Sequence, residues 1–429
     1  FGMKVAVIDE NKLGGVCINR GCIPTKALLH ASNIFSMMQH SDEFGVSTDF
    51  ISFDFAKMQD YKKRSVRRYR DEIQKLFDKN DITFIKGKAT IRREKTIEVV
   101  GENGKEYLRA KNIIIATGAK PVMPKIPGID LPGVINSDRL LAVPTWNYDR
   151  IVIMGGGVIG VEFATIFQAL CSKVTIVEKG PHLLGPMDEE VSEALKEQLA
   201  DKGITVYCNA MVEEIRKEDS LVCTVRDLAT NEITQIKTNQ VVVAVGRTPY
   251  TDGLLGEDMT LQMEKGRPVV DADFQTSEPG IYAIGDVSAK TQLAHVAMAQ
   301  ATYVIENLAG KPHTIRLEAV PNGMFVSLPI VPSCIYTEPE IATVGITEAR
   351  AGELGMKVRC GVYDMGENGK SIITREEHGF IRLIFEAYSN TIVGAQMMCP
   401  RATDMIGEMA TAIANGLTAE QLSLAMRAQ

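Results

Sequence analysis

The stretch RIVIMGGGVIGVEFATIFQAL, residues 150–170, runs from a short apolar strand through three consecutive glycines into an apolar helix. Gly155, Gly157 and Gly160 stand at G-x-G-x-x-G spacing. Glycines placed so let the backbone N–H groups of a helix start approach a pyrophosphate. SKVTIVE, residues 172–178, follows as a second buried strand, and its terminal Glu178 is placed to accept the two hydroxyls of an adenosine ribose. The glycine spacing alone is weak; strand, loop, helix, strand and terminal carboxylate together predict a dinucleotide-binding unit.

A related stretch, MKVAVID at residues 3–9, is again a short β-branched run ending in a carboxylate. Glu178 lies 169 residues after Asp9, so the matching glycine loop is expected ahead of Phe1. Asp9 then reads as the ribose ligand of a first unit, its plainer reading being a solvated strand-end carboxylate. KNIIIATGAKP (111–121) and QVVVAVGRTPY (240–250) are further apolar strands ending in glycine, each expected to close a nucleotide-binding layer. In SEPGIYAIGDVSAKTQLAHVAMAQATYVIENLAG (277–310), Asp286 follows a strand and precedes a long helix, where it can meet a ribityl hydroxyl or a phosphate-bound water, or simply cap the helix.

GGVCINRGCIPTKALLHAS, residues 14–32, separates Cys17 from Cys22 by four residues. In a continuous helix their axial separation alone is about 7.5 Å, too far for a disulfide. Gly21 permits a distorted turn and Pro24 suits a first helical turn, which predicts Cys22 near a helix N-terminus with Lys26 one turn on. A thiol there is pushed toward its reactive thiolate. Redox activity, half of a zinc site and two buried structural thiols are the open readings. The other six cysteines stand singly, without the short spacing a zinc site requires.

The chain has 429 residues, enough for two to four domains, and a net charge of −7. An acidic surface without a basic stripe is expected, which argues against nucleic acid as the main partner. No uninterrupted apolar run reaches the length of a membrane span, and FGMKVAVIDE is neither a signal nor a transit peptide. A cytoplasmic location is expected, with the mitochondrial matrix a second possibility, and the cysteines are too few for a secreted disulfide scaffold.

Taken together, GGVCINRGCIPTK, ATG, GGGVIGVEFA, GRTP, GIYAIGDV and QLAHVA make the whole chain resemble the flavin-dependent pyridine nucleotide-disulfide oxidoreductases, most closely their dihydrolipoamide-oxidising branch. The resemblance implies an α/β fold: two Rossmann-like dinucleotide-binding domains, for FAD and NAD, plus an α+β C-terminal dimerisation domain. The expected boundaries are 1–147 for the FAD domain, 148–275 for the NAD domain, 276–328 for a return to the FAD and central region, and 329–429 for dimerisation. It further implies that Asp9, Gly14, Gly15, Lys26, Gly87, Thr117, Gly118, Asp286 and the segment Gln292, Leu293, Ala294 and His295 surround FAD. Gly155, Gly157, Gly160, Glu162, Glu178, Val212 and Gly246 would hold NAD. Cys17 resembles the interchange thiol that meets the substrate, Cys22 the thiol against the flavin, and Lys26 with Glu162 an ion pair near the flavin's reactive edge. No metal is expected.

The implied reaction oxidises protein-bound dihydrolipoamide to lipoamide through a Cys17–Cys22 disulfide and FAD, with NAD+ as acceptor. The implied assembly is a homodimer serving the lipoyl domains of a 2-oxoacid dehydrogenase or glycine-cleavage complex. The alternatives are a mercuric or glutathione reductase-like enzyme and a non-catalytic flavoprotein scaffold; glutathione reductases usually carry basic residues where Glu178 stands. His295 is expected to lie along the flavin by its backbone. The family also pairs its dithiol with a His-Pro histidine and a nearby Glu from the other subunit; Gln429 stands at or beside that place, and no His follows His378. A chain ending there is expected to pass electrons from NADH to artificial acceptors better than it oxidises dihydrolipoamide. Tyr282, Trp146 and the methionine-rich 396–409 region read as packing, DMIGEMATAIANGLTAEQLS as one amphipathic helix, and the extra residues around 321–330 have no assigned role.

Overall fold

Alternation of apolar strands with helices builds the molecule around parallel sheets, as the computed structural model shows. It describes residues 1–426 except 103, 144–147, 316, 317, 320–325, 328 and 329. Trp146, most of the 321–330 stretch and Gln429 therefore lie outside the described residues.

The strand Arg150–Met154 is central to a five-stranded parallel sheet, flanked by Lys173–Val177 and Thr205–Tyr207 on one side and by Gln240–Val243 and Val134–Asn136 on the other. Ile151, Val152, Ile153 and Met154 are all buried, as a parallel strand covered on both faces requires. This sheet takes one strand from ahead of residue 148, where the sequence places a domain boundary: three residues, Val134–Asn136, are too short a run to stand out by periodicity.

The first unit is built alike but in two pairs. Ala6–Asp9 runs parallel to Thr83–Lys86, and Ile113–Ile115 runs parallel to Ile281–Ala283. The two pairs are separate two-stranded sheets. Residues of both line one cleft.

The C-terminal part is an antiparallel five-stranded sheet in the order Ser333–Ile335, Glu340–Gly345, Ile392–Cys399, Phe380–Glu386, Val358–Asp364. Helix Ala402–Ala414 buries Ala402, Ile406, Met409 and Ala412. Met397, Met398 and Met409 are core residues, so this methionine-rich region is packing. The expected single helix is in fact two: Gly416 takes φ +61°, and a second helix, Ala419–Ser423, starts from a Thr418 capping box. Tyr282 is likewise buried.

Three helices position the dithiol: α1 (Gly15–Arg20), α2 (Cys22–Gln39) and α3 (Phe55–Lys79). α3 presents Phe55, Gln59, Lys62 and Val66 to the interior at helical spacing. Lys62 is an anomaly in that stripe. Its ammonium donates to Gln59 Oε1 and to the Leu141 carbonyl, with no carboxylate paired to it among the described residues. Burial, then the neighbouring Lys63, pulls its pKa from 10.5 down to about 8. Between those two pH values the unfolded chain binds a proton that the folded chain does not, so stability rises with pH by roughly 3 kcal/mol across that window. Lys62→Met should therefore stabilise the protein more at pH 7 than at pH 10. Urea midpoints at the two pH values measure this, and a difference independent of pH contradicts it.

Candidate active site

The two cysteines are joined. Cys17, inside α1, and Cys22, the first residue of α2, form a disulfide with Cα atoms 4.6 Å apart. The break at Gly21 makes this possible, because its φ of −147° and ψ of −105° end one helix and start the next. A Cβ at Gly21 would stand 3.2 Å from the Val16 carbonyl oxygen, so a side chain there would crowd the turn. Thr25 holds the new helix start, its hydroxyl donating to the Gly21 carbonyl at 2.6 Å. Of the readings left open by spacing, the zinc half-site falls, since the two sulfurs are bonded to each other.

One turn into α2, Lys26 Nζ meets both oxygens of Glu162 at 2.7 and 2.8 Å. Glu162 lies on helix Val158–Ala169, behind the glycine loop, and is buried. Its Oε1 also accepts from the Tyr336 backbone N–H at 3.1 Å, and Lys26 Nζ stands 4.5 Å from the centre of the Tyr336 ring. The first unit, the second unit and the C-terminal sheet are thus tied together at one carboxylate, the satisfied arrangement a buried charge needs.

The glycine loop is closed toward the protein and open toward the cleft. Gly155 takes φ +105°, and a Cβ there would fall 2.4 Å from the Ala244 carbonyl oxygen; one at Gly160 would fall 1.9 Å from the Gly155 carbonyl oxygen. At Gly157, which heads the helix, a Cβ would meet no protein atom. Glu178 closes the loop: Oε2 accepts from the Gly156 N–H and Oε1 from the Gly180 N–H, both at 2.6 Å. Each oxygen keeps a further lone pair for a hydroxyl.

Every residue assigned above to the dithiol, FAD or NAD lines the one large cleft, except Gly160, which packs beneath the loop. Asp286 lies in the short turn Gly285–Val287, eight residues ahead of the helix start at Ala294, and so does not cap that helix. Burial raises its pKa, against the pull of Arg247 and Arg267. His295 is exposed in the first turn of helix Ala294–Leu308. The buried Nε2 of Gln292 has no partner among the described residues. An orphaned donor on this wall, a glycine loop open to the cleft and a carboxylate at the strand end fit two dinucleotide cofactors.

Arg247 and Tyr336 escaped the sequence reading. Arg247 pairs with Asp138 at 2.8 Å and donates to the Ala119 carbonyl at 2.7 Å, facing the cleft from the GRTP stretch. The signal was the arginine in that motif. Tyr336, from VPSCIYTEPEIATVG, gave no signal at all, because its role depends on a register set by tertiary packing.

Comparison with known proteins decides the family. Residues 1–301 match the pyridine nucleotide-disulphide oxidoreductase family, and residues 331–429 match that family's dimerisation domain. The chain belongs to the pyridine nucleotide-disulphide oxidoreductases. It is 33% identical to a dihydrolipoyl dehydrogenase of Geobacillus stearothermophilus over 100% of this chain and 88% of the relative. It is 35% identical to the enzyme of that name from Bacillus subtilis over 97% of this chain and 88% of the relative. Among solved structures, the HOCl-induced flavoprotein disulfide reductase RclA of Escherichia coli matches with a TM-score of 0.84 at 27% identity, over 100% of this chain and 92% of that one. LpdA of Mycobacterium tuberculosis, 21% identical, shares the fold with a TM-score of 0.87 over 99% of this chain and 90% of its own.

The protein is thus a flavoprotein disulfide oxidoreductase, an enzyme using FAD and NAD. Its dimerisation domain supports a homodimer. No helix of the described residues is long and apolar enough to cross a membrane.

Proposed function

We propose that this oxidoreductase exchanges electrons between a dihydrolipoyl dithiol and NAD+, with Cys17 and Cys22 as its redox pair, and that the lipoyl groups belong to a 2-oxoacid dehydrogenase or glycine-cleavage complex. The observation that carries the reading is the Cys17–Cys22 disulfide at the start of α2, in the same cleft as the glycine loop and within one helical turn of the Lys26–Glu162 pair. A dithiol substrate attacks one sulfur, a mixed disulfide forms, and the second substrate thiol displaces it, leaving the substrate oxidised and both cysteines reduced. The N-terminal end of α2 favours the thiolate of Cys22. Bound FAD would supply the two-electron transfer between this pair and NAD.

The wall carrying Asp9, Gly14, Gly15, Gly87, Thr117, Gly118, Asp286 and Gln292–His295 would hold FAD. Gly155, Gly157, Gly160, Val212, Gly246 and Glu178 would hold NAD, with Lys26 and Glu162 keeping the two sites in register. The domain limits proposed for this arrangement are 1–147, 148–275, 276–328 and 329–429, with Val134–Asn136 lent forward to the NAD sheet.

Glu178 accepts hydroxyls and repels a 2′-phosphate, so NAD+ should outperform NADP+. Replacing it by Ala removes a charged hydrogen-bonding group and should shrink that preference roughly 10- to 100-fold in kcat/KM. An unchanged ratio in Glu178→Ala would remove Glu178 from the ribose site. The reverse reaction on another disulfide is the second reading, favoured by the structural likeness to a flavoprotein disulfide reductase. Rates of NAD+ reduction by dihydrolipoamide, compared with NADH oxidation by glutathione disulfide and by Hg(II), separate the two.

A further inference from the structure

The outer face of α3 overturns the expectation of a surface without a basic stripe. The helix holds nine Lys and Arg against four Asp and Glu, so it is +5 while the rest of a chain of net charge −7 is −12. The net charge averaged this away. Arg64, Arg67 and Arg68 lie at i, i+3 and i+4, turned away from the buried stripe, and all three are exposed. Lys63 and Lys75 are occupied by Asp60 and Glu72 at 3.2 and 2.8 Å, but Arg64, Arg67 and Arg68 form no ion pair among the described residues.

The place of this patch gives it a use. α3 packs against α1 and α2, the two helices joined by the disulfide, and its Tyr69 lines the cleft. The arginines stand on a convex helix surface outside that cleft, a shape suited to the face of a macromolecule rather than to enclosing a small anion. We propose that Arg64, Arg67 and Arg68 dock the acidic face of the protein domain that carries the dithiol, bringing its tethered arm to the Cys17–Cys22 cleft. This rests on the dithiol-carrier reading above. A protein surface fits better than nucleic acid, because the remaining −12 of the chain repels an extended polyanion, whereas a folded domain offers a local acidic patch. Exposed guanidinium groups of this kind act mainly on the encounter rate and lose effect as salt rises.

The test uses the flavin-loaded enzyme with two substrates, free dihydrolipoamide and a lipoylated domain of net negative charge. Arg64→Glu/Arg67→Glu/Arg68→Glu should lower kcat/KM for the domain about 10- to 100-fold while leaving free dihydrolipoamide within about twofold. The triple Arg→Lys variant should retain the wild-type rate, and wild-type kcat/KM for the domain alone should fall steeply with salt. Equal losses on both substrates would mean damaged structure and overturn the docking role, as would no loss on the domain. Tighter binding of a 20-residue oligonucleotide than of the domain would overturn the choice of partner. If wild-type enzyme fails on free dihydrolipoamide, the substrate reading itself falls, an outcome distinct from a docking failure.

Discussion

Cys17→Ser and Cys22→Ser should each reduce dithiol-dependent NAD+ reduction by at least about 10³-fold, because serine cannot form or open the disulfide that links substrate to cofactor. The two variants should nevertheless retain NADH-dependent reduction of an artificial acceptor such as ferricyanide, whose electrons need not cross the dithiol. Neither cysteine belongs to the hydrophobic core, so the loss should come without a change in thermal midpoint of more than the disulfide itself contributes, about 2–4 kcal/mol in unfolding free energy. Stopped-flow absorbance with dihydrolipoamide and steady-state ferricyanide reduction read both halves. A Cys22→Ser enzyme that still turns over dihydrolipoamide would show that the exchange runs elsewhere.

The second large effect belongs to Lys26 and Glu162. Glu162 is enclosed, whereas the Lys26 side chain keeps 31% of its surface exposed. Removing either partner leaves the other charge unpaired, at a cost of about 3 kcal/mol. The costs differ in kind: Lys26→Met strands a buried carboxylate, whereas Glu162→Gln also weakens the acceptor of the Tyr336 N–H and loosens the C-terminal sheet from the cleft. The double variant should lose less than the sum of the single losses, since no lone charge remains. Urea denaturation of the four proteins measures the coupling. Strict additivity would mean that the 2.7 Å contact contributes nothing.

Much of this was legible because the relevant chemistry is local. Gly155, Gly157, Gly160 and Glu178 report a loop and strand whose geometry is fixed within thirty residues, and Gly21 with Pro24 announced the helix break that brings Cys17 to Cys22. What stayed hidden depends on partners far along the chain. Arg247 finds Asp138 across 109 residues, and Glu162 finds the Tyr336 N–H across 174. Lys62 occupies a core-facing position that no periodicity assigns to a lysine. The α3 arginines were visible as KKRSVRRYR, but a net charge summed over the chain concealed a face that only the helix assembles.

The most direct measurement is the rate of NAD+ reduction when the flavin-loaded enzyme is given free dihydrolipoamide or no thiol, with NADP+ in parallel, set beside NADH and NADPH oxidation by glutathione disulfide. Turnover is expected with dihydrolipoamide and NAD+, with a marked loss on NADP+ and little oxidation of either reduced nucleotide by glutathione disulfide. NADPH oxidation by glutathione disulfide without NAD+ reduction by dihydrolipoamide would contradict the dithiol-to-NAD+ assignment.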